Sequence, residues 1–170
     1  MNPLLPNDTF YPTPDALIDR MIVKIQGRPK TILEPSAGAG NIIKRMRQHR
    51  SMLENGYRDR YSRPYEHCQY SAIEIDPRLQ AILDAECPGA ALLDTDFLQY
   101  AGRDHFDLII MNPPFDHGDL HLLKAIDIMY SGEIICLLNA ETIRNPYTNS
   151  RRELAKRLAD LNAEIEYIEE

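Results

Sequence analysis

The 170-residue sequence predicts a doubly wound, mostly parallel α/β domain. Three observations carry this. Short apolar runs suited to buried strands alternate with helical patterns of period 3.6. Acidic or amide residues recur where those runs end, at Glu34, Glu74, Asp96 and Asn112. The length suits one domain of the common ~100–200-residue size, and a composition of 44% hydrophobic and 26% charged residues excludes disordered and fibrous classes.

The elements follow in order. After Tyr11-Pro12-Thr13-Pro14, a helix opens with Thr13 as cap and Pro14 at its first position, with Ala16, Leu17, Met21 and Ile25 on one face, and Gly27-Arg28-Pro29 ends it. Thr31–Glu34 is a short buried strand running into Pro35-Ser36-Ala37-Gly38-Ala39-Gly40, and a basic helix runs from Asn41 to about Leu53. Tyr70–Ile75 is the second strand, followed by a helix with Leu79, Ile82 and Leu83 inward, then a third strand near Ala91–Leu93. Phe106–Met111 forms the fourth strand and ends at Asn112-Pro113-Pro114-Phe115; a helix over Leu120–Tyr130 and a fifth strand at Glu133–Asn139 come next. A helix at Arg151–Leu161 and a last strand at Ala163–Ile168 complete the pattern, since Ala-Glu-Ile-Glu-Tyr-Ile alternates with the period of a strand.

No apolar run approaches the ~18–20 residues needed to span a bilayer. The N-terminal residues lack the basic and apolar regions of a signal peptide, so a cytoplasmic location and no membrane partner are expected. Cys68, Cys87 and Cys136 are scattered and without metal-binding spacing, and the five histidines show none either; reduced structural thiols and no metal are expected. The net charge of −7 hides an imbalance: residues 1–70 hold 11 Lys and Arg against 7 Asp and Glu, and the acids concentrate in the remainder.

In an open parallel sheet, ligands bind at the carboxyl ends of the strands near the point where strand order reverses. The Gly38-Ala39-Gly40 turn lets backbone pass close to a ligand. A dinucleotide fingerprint would need a third glycine where Ile43 stands, and a Walker loop would need Gly-Lys-Ser/Thr. Glu34, just before the turn, would repel a pyrophosphate and suits a cationic group. S-adenosylmethionine (SAM) meets these demands, having a sulfonium, an amino group, a ribose and an adenine but no phosphate.

The series Tyr11-Pro12-Thr13-Pro14, Glu34-Pro35-Ser36-Ala37-Gly38-Ala39-Gly40, Ile73-Glu74-Ile75-Asp76-Pro77, Asp96-Phe97-Leu98 and Asn112-Pro113-Pro114-Phe115 resembles the class I SAM-dependent adenine-N6 DNA methyltransferases, with the cofactor motifs first in the gamma-type order. The resemblance covers roughly residues 10–145 and implies a Rossmann-like fold. It places Tyr11, Thr13 and the Pro35, Ser36, Ala37, Gly38, Gly40 and Asn41 turn around the methionine end, with Thr13 on the carboxylate and Glu34 near the amino or sulfonium charge. Glu74, beside Ile75, would grip the ribose hydroxyls, Asp96 would accept from the adenine amino group, and the Phe97 N–H would reach a ring nitrogen. Asp76 is read as the cap of the following helix.

Asn112, Pro113, Pro114 and Phe115 would carry the reaction. The Asn112 oxygen and the Pro113 carbonyl accept the two N–H bonds of an exocyclic amine, drawing the nitrogen toward tetrahedral geometry and aiming its lone pair at the methyl group. Phe115 offers a stacking face, and a base in duplex DNA must be flipped out to reach it. For DNA contact, Arg47, Arg58, Arg60 and Arg63 are interleaved with tyrosines between Lys44 and Tyr70, and Arg144, Arg151 and Arg152 follow the fifth strand; solvated helix faces are the plainer alternative for both groups.

The sequence departs from the family at its end. There the last strand pairs with a further antiparallel strand and a target-recognition domain follows, whereas this sequence stops at Glu169-Glu170. A specificity subunit on another chain, a fragment, or a reduced relative with an unpaired edge that dimerises all fit. Substrates other than DNA adenine also stay open: a base of RNA, a protein glutamine amide, or no catalysis at all in a SAM-binding partner domain. Restriction-modification, phage self-protection and regulation are all compatible roles.

Overall fold

A computed structural model describes residues 12–50 and 63–168. Five strands, β1 (Thr31–Pro35), β2 (Gln69–Ile73), β3 (Ala91–Asp94), β4 (Leu108–Met111) and β5 (Glu133–Cys136), form one parallel sheet in the order β3-β2-β1-β4-β5. The chain builds outward from β1 through β2 to β3, then returns to lay β4 on the other side of β1. The reversal falls between β1 and β4, and their carboxyl ends flank the place where open parallel sheets form a ligand crevice.

Period-2 alternation divides the core between the two faces. Ile32, Leu108 and Ile110 pack with Ile18, Met21 and Ile22 of α1 (Asp15–Ile22) and Ile42, Ile43 and Met46 of α2 (Asn41–Gln48). Leu33, Ile109 and Met111 face the other way, onto Phe97, Tyr100, Phe106 and Ala125. With both faces covered, β4 reads as an unbroken apolar run. Helices α3 (Pro77–Glu86), α4 (Gly118–Ile128), α5 (Ala140–Arg144) and α6 (Asn149–Asp160) complete the fold, with a 3-10 turn at Phe115–His117.

The amino ends of the strands are fastened by two carboxylates. Asp107 Oδ2 accepts the Lys30 and Thr31 N–H groups (2.8 and 3.0 Å), and Glu133 accepts those of Gln26 and Gly27. These bonds hold the Asp107 carboxyl below the usual carboxylate range.

Several expectations need correction. Thr13 does not cap α1: the cap position is Pro14, the helix ends at Ile22 well before Gly27, and its inward face is Ile18, Met21 and Ile22, with Ala16 exposed. Helix α2 stops at Gln48, short of the expected Leu53, with His49 already extended; residues 51 to 62 lie outside the described residues, as does Tyr11. The Ala163–Ile168 strand is absent. That segment makes no ladder and is exposed throughout, held by side chains instead: Glu164 and Glu166 pair with Lys24, Glu166 with Arg20, and Tyr167 lies under Arg144. The three cysteines are free thiols. Among the described residues no helix is long and apolar enough to cross a membrane, and no group of His, Cys, Asp and Glu is arranged to hold a metal.

Candidate active site

The turn after β1 is built from left-handed residues in alternation: Ser36 at φ 90°, Gly38 at 56° and Gly40 at 75°. A non-glycine residue in this region costs about 1–3 kcal/mol and persists only where its surroundings fix it. They do so here, because the Ser36 and Ala37 N–H groups both donate to the Ile73 carbonyl (2.8 and 3.0 Å) and the Gly38 N–H donates to Glu74 Oε2 (2.6 Å). Gly40 meets a steric requirement as well. A Cβ there would lie 2.5 Å from Cys87 Sγ and 2.8 Å from Leu83 Cδ1. Asn41 then opens α2.

The first three N–H groups of the turn are thus bonded within the protein and are not offered to a phosphate. Glu74, at the end of β2, is 6% exposed; its Oε1 accepts the Asp76 N–H (2.9 Å) while Oε2 holds Gly38. Each oxygen keeps a second lone pair. Ile75 beside it is 69% exposed, an apolar patch at the rim. Asp76 caps α3 through the Arg78 N–H (2.9 Å) and pairs with the Arg78 guanidinium, whose hydrogen bonds hold its carboxyl below the usual range.

Glu34 lies in β1, one residue before the strand's carboxyl end. It is 2% exposed, with Oε2 accepting the Ile43 N–H from the first turn of α2 (3.3 Å). Burial pushes its carboxyl well above the usual carboxylate range; the Ile43 N–H opposes this, the Glu74 charge adds to it, and Lys44 opposes it. Its visible task is to join β1 to α2.

Beyond β3, Asp96 Oδ1 accepts the Leu98 N–H (2.9 Å), which folds the turn and leaves the half-buried carboxylate one oxygen to offer. Phe97 is buried with its ring 5.8 Å from that of His121. The His121 Nδ1 lies 2.9 Å from the His117 carbonyl, and burial lowers its imidazole pKa. This histidine thus ties the Asp96–Phe97 turn to the loop after β4.

That loop carries Asn112, Pro113, Pro114 and Phe115. Asn112 Nδ2 donates to Thr13 Oγ1 at 2.9 Å, so a residue far away in sequence fixes the plane of the amide. Among the described residues no donor reaches Asn112 Oδ1 or the Pro113 carbonyl. Pro113 is buried and Pro114 exposed, while Phe115 is 75% exposed, which is unusual for a residue following a core strand. Thr13, the 36–41 turn, Glu74, Asp96 and Asn112 therefore all stand at one end of the sheet.

No family model matches the chain, and neither does any curated protein sequence. Solved structures do. The chain superimposes on a TehB-like SAM-dependent methyltransferase from Corynebacterium glutamicum with a TM-score of 0.56 at 17% identity, over 83% of this chain and 71% of that one. It matches coclaurine N-methyltransferase bound to N-methylheliamine and SAH (0.54, 15%, 71% and 34%) and a dimethyladenosine transferase from Plasmodium falciparum (0.55, 17%, 79% and 45%). The chain has the Rossmann-like α/β fold of these methyltransferases. It spans only about a third of the length of coclaurine N-methyltransferase and under half that of the Plasmodium protein.

The arginines expected to meet nucleic acid divide by position. Helix α2 leads away from the crevice, and the Arg47 guanidinium lies 4.9 Å from the ring centre of Tyr70. Tyr70 and Leu108 are both level with Ile32, and Asn112 lies four residues beyond Leu108, roughly 13 Å farther along. Arg63, paired with Glu66 (3.2 Å), precedes β2 at the same remote end. Both therefore stand away from Asn112 along the sheet; Arg58 and Arg60 lie outside the described residues. Arg144 is stacked 4.3 Å over Tyr167.

Arg151 and Arg152 do belong to the crevice end. Ser150 Oγ donates to Asp119 Oδ2 (2.5 Å), and Arg157 pairs with Asp127 (3.0 Å). Both contacts advance in the same direction, so α4 and α6 run parallel, and both begin at the end where Asn112 lies. Sequence reasoning missed Asp119 and Ser150. The Thr148 side chain caps α6 by accepting the Arg151 N–H (3.1 Å), and nothing local in the sequence marks Asp119 or Ser150.

Proposed function

We propose that the chain is a SAM-dependent methyltransferase acting on the N6 amino group of adenine in DNA. The observation that carries this is the Asn112 amide, anchored through Nδ2 to Thr13 at the end of β4, with Oδ1 and the Pro113 carbonyl left as acceptors and the exposed Phe115 ring beside them.

The residues present suit SAM. A turn whose N–H groups are spent on Ile73 and Glu74 favours a ligand without phosphate, Glu74 retains lone pairs for ribose hydroxyls, and Asp96 retains an acceptor for an adenine amino group. Bound there, SAM supplies a methyl group made electrophilic by its sulfonium. An adenine amino nitrogen is a weak nucleophile because its lone pair is delocalised into the ring. Asn112 Oδ1 and the Pro113 carbonyl each accept one N–H, which favours the tetrahedral nitrogen and turns the lone pair out of the ring plane. Pro113 and Pro114 contribute no backbone N–H and stiffen the loop. Phe115 holds the base by stacking, and the surplus proton passes to water once the nitrogen has been alkylated.

The test is incubation with labelled SAM and unmethylated DNA, with digestion to nucleosides. N6-methyldeoxyadenosine from the parent and none from Asn112→Ala is expected; no transfer to adenine from the parent sinks the reading. The likeness to a protein named dimethyladenosine transferase favours an adenine amino group as the acceptor, and RNA of the same sequence belongs in the assay as a second substrate.

A further inference from the structure

Beside the target loop lies a surface that no step above uses. Tyr147 is 64% exposed, and the Arg151 guanidinium stacks 4.6 Å from its ring centre. Arg152 braces the same segment, donating to the Tyr147 carbonyl (3.0 Å) and to Asn149 Oδ1 (2.6 Å). The Ser150–Asp119 bond fixes this segment to the first turn of α4, four residues after Phe115. Two exposed aromatic rings, Phe115 and Tyr147, therefore border the same end of the sheet.

The charges there are arranged for an anion. Among the described residues Arg151 and Arg152 have no carboxylate partner, whereas Arg157, two turns farther along α6, is paired with Asp127. Asp116, Glu141, Glu153 and Asp160 pair with neither arginine, and Asp119 is engaged by Ser150. An aromatic face with unneutralised guanidinium groups is the combination that holds single-stranded nucleic acid, with bases stacked and phosphates paired.

We infer that Tyr147 and Arg151 form a platform for the nucleotide adjoining the adenine that is methylated, the base stacking on the Tyr147 ring and Arg151 and Arg152 meeting its phosphate. This rests on the nucleic-acid reading of the site and deepens it. The strand must be single or locally opened where it crosses the rim, since paired bases present no face to a ring.

The test is fluorescence anisotropy with a labelled single-stranded oligodeoxynucleotide containing adenine, over a range of salt. Tyr147→Ala should weaken binding by roughly 5- to 150-fold, the span of ~1–3 kcal/mol per stacked base, and Tyr147→Phe should restore it. Arg151→Ala should lower the slope of log affinity against log salt by roughly 0.7, the loss of one phosphate contact, while Arg157→Ala should change nothing. The side chain of Tyr147 is exposed, so both Tyr147 variants should melt like the parent. If the parent binds and methylates DNA but Tyr147→Ala binds equally well, or Arg157→Ala weakens binding as Arg151→Ala does, the platform is wrong and the methyltransferase reading stands. If the parent neither binds nor methylates the oligonucleotide, both fall.

Discussion

At the scale of single residues, the 2.9 Å bond from Asn112 Nδ2 to Thr13 Oγ1 makes the amide's orientation a property of two distant segments. Thr13→Val keeps the volume but removes the acceptor and frees the amide to rotate. Single-turnover measurements should show methyl transfer slowed by roughly 2- to 13-fold with SAM affinity changed less, the loss expected when a neutral hydrogen bond of ~0.5–1.5 kcal/mol orients a reacting group. Equal losses in rate and affinity would assign Thr13 to SAM instead. Thr13 was legible as a site residue from the Tyr-Pro-Thr-Pro resemblance, but not its partner, because a contact spanning 99 positions leaves no local trace.

Glu34 carries a pH prediction. Its carboxyl, raised by burial, holds its proton in the folded chain to higher pH than in the unfolded chain, where the ordinary value is 4.5. The stability it contributes is therefore fully present below about pH 4.5 and is lost as pH rises through the folded value. Glu34→Gln keeps an acceptor for the Ile43 N–H and removes the titration. Its melting temperature should gain on the parent's progressively as pH rises above about 4.5, and parallel curves would refute the assignment. The composition of the turn identified Glu34 as special; its direction was not legible, since whether a strand-end carboxylate faces a ligand or a helix depends on where α2 docks.

At the scale of elements, β1 and α2 meet through Gly40. Gly40→Ala forces a left-handed alanine whose Cβ meets the Cys87 thiol and the Leu83 side chain. Denaturant unfolding should show a loss of about 1–3 kcal/mol, with α3 displaced from the turn. The parallel α4 and α6 offer a second test. Ser150→Ala leaves the buried Asp119 carboxylate without its hydroxyl partner, and a loss of about 1–3 kcal/mol is expected from the same measurement. The strands whose residues are buried on both faces, β1 and β4, were legible as apolar runs, and α3 as Asp-Pro followed by leucines. The Ala163–Ile168 segment had a strand's alternation without a strand's neighbours. Alternation reports which side chains would share a face; the ladder needs an adjacent edge, and ion pairs to Arg20 and Lys24 hold this segment elsewhere. The short α5 gave no periodic signal because five residues span little more than one turn.

At the scale of the whole molecule, the crevice between β1 and β4 is bordered by residues from at least four segments, Thr13, the 36–41 turn, Glu74 with Asp96, and Asn112, so a ligand bound there joins them. Saturation with SAM at 100 times its dissociation constant should stabilise the fold by about 2.7 kcal/mol, raising the melting temperature by roughly 5–11 °C. Asp96→Ala should remove most of that shift, and no shift in the parent would count against the cofactor. Which strand ends converge was legible from the alternation of elements, as parallel winding sends every such end to one side. Which arginines share that side was not, because a helix carries its cations toward or away from the site according to its direction.

The carboxylates of Asp107 and Glu133 fasten the loop from Gln26 to Thr31 at the opposite end from Asn112. On the proposed function this loop is a handle, opposite the end that takes the substrate. A dye, a bead or a fused carrier attached through the Lys30 amine would stand clear of any strand crossing Phe115 and Tyr147, so the protein can be anchored to a surface and still be offered long polymers.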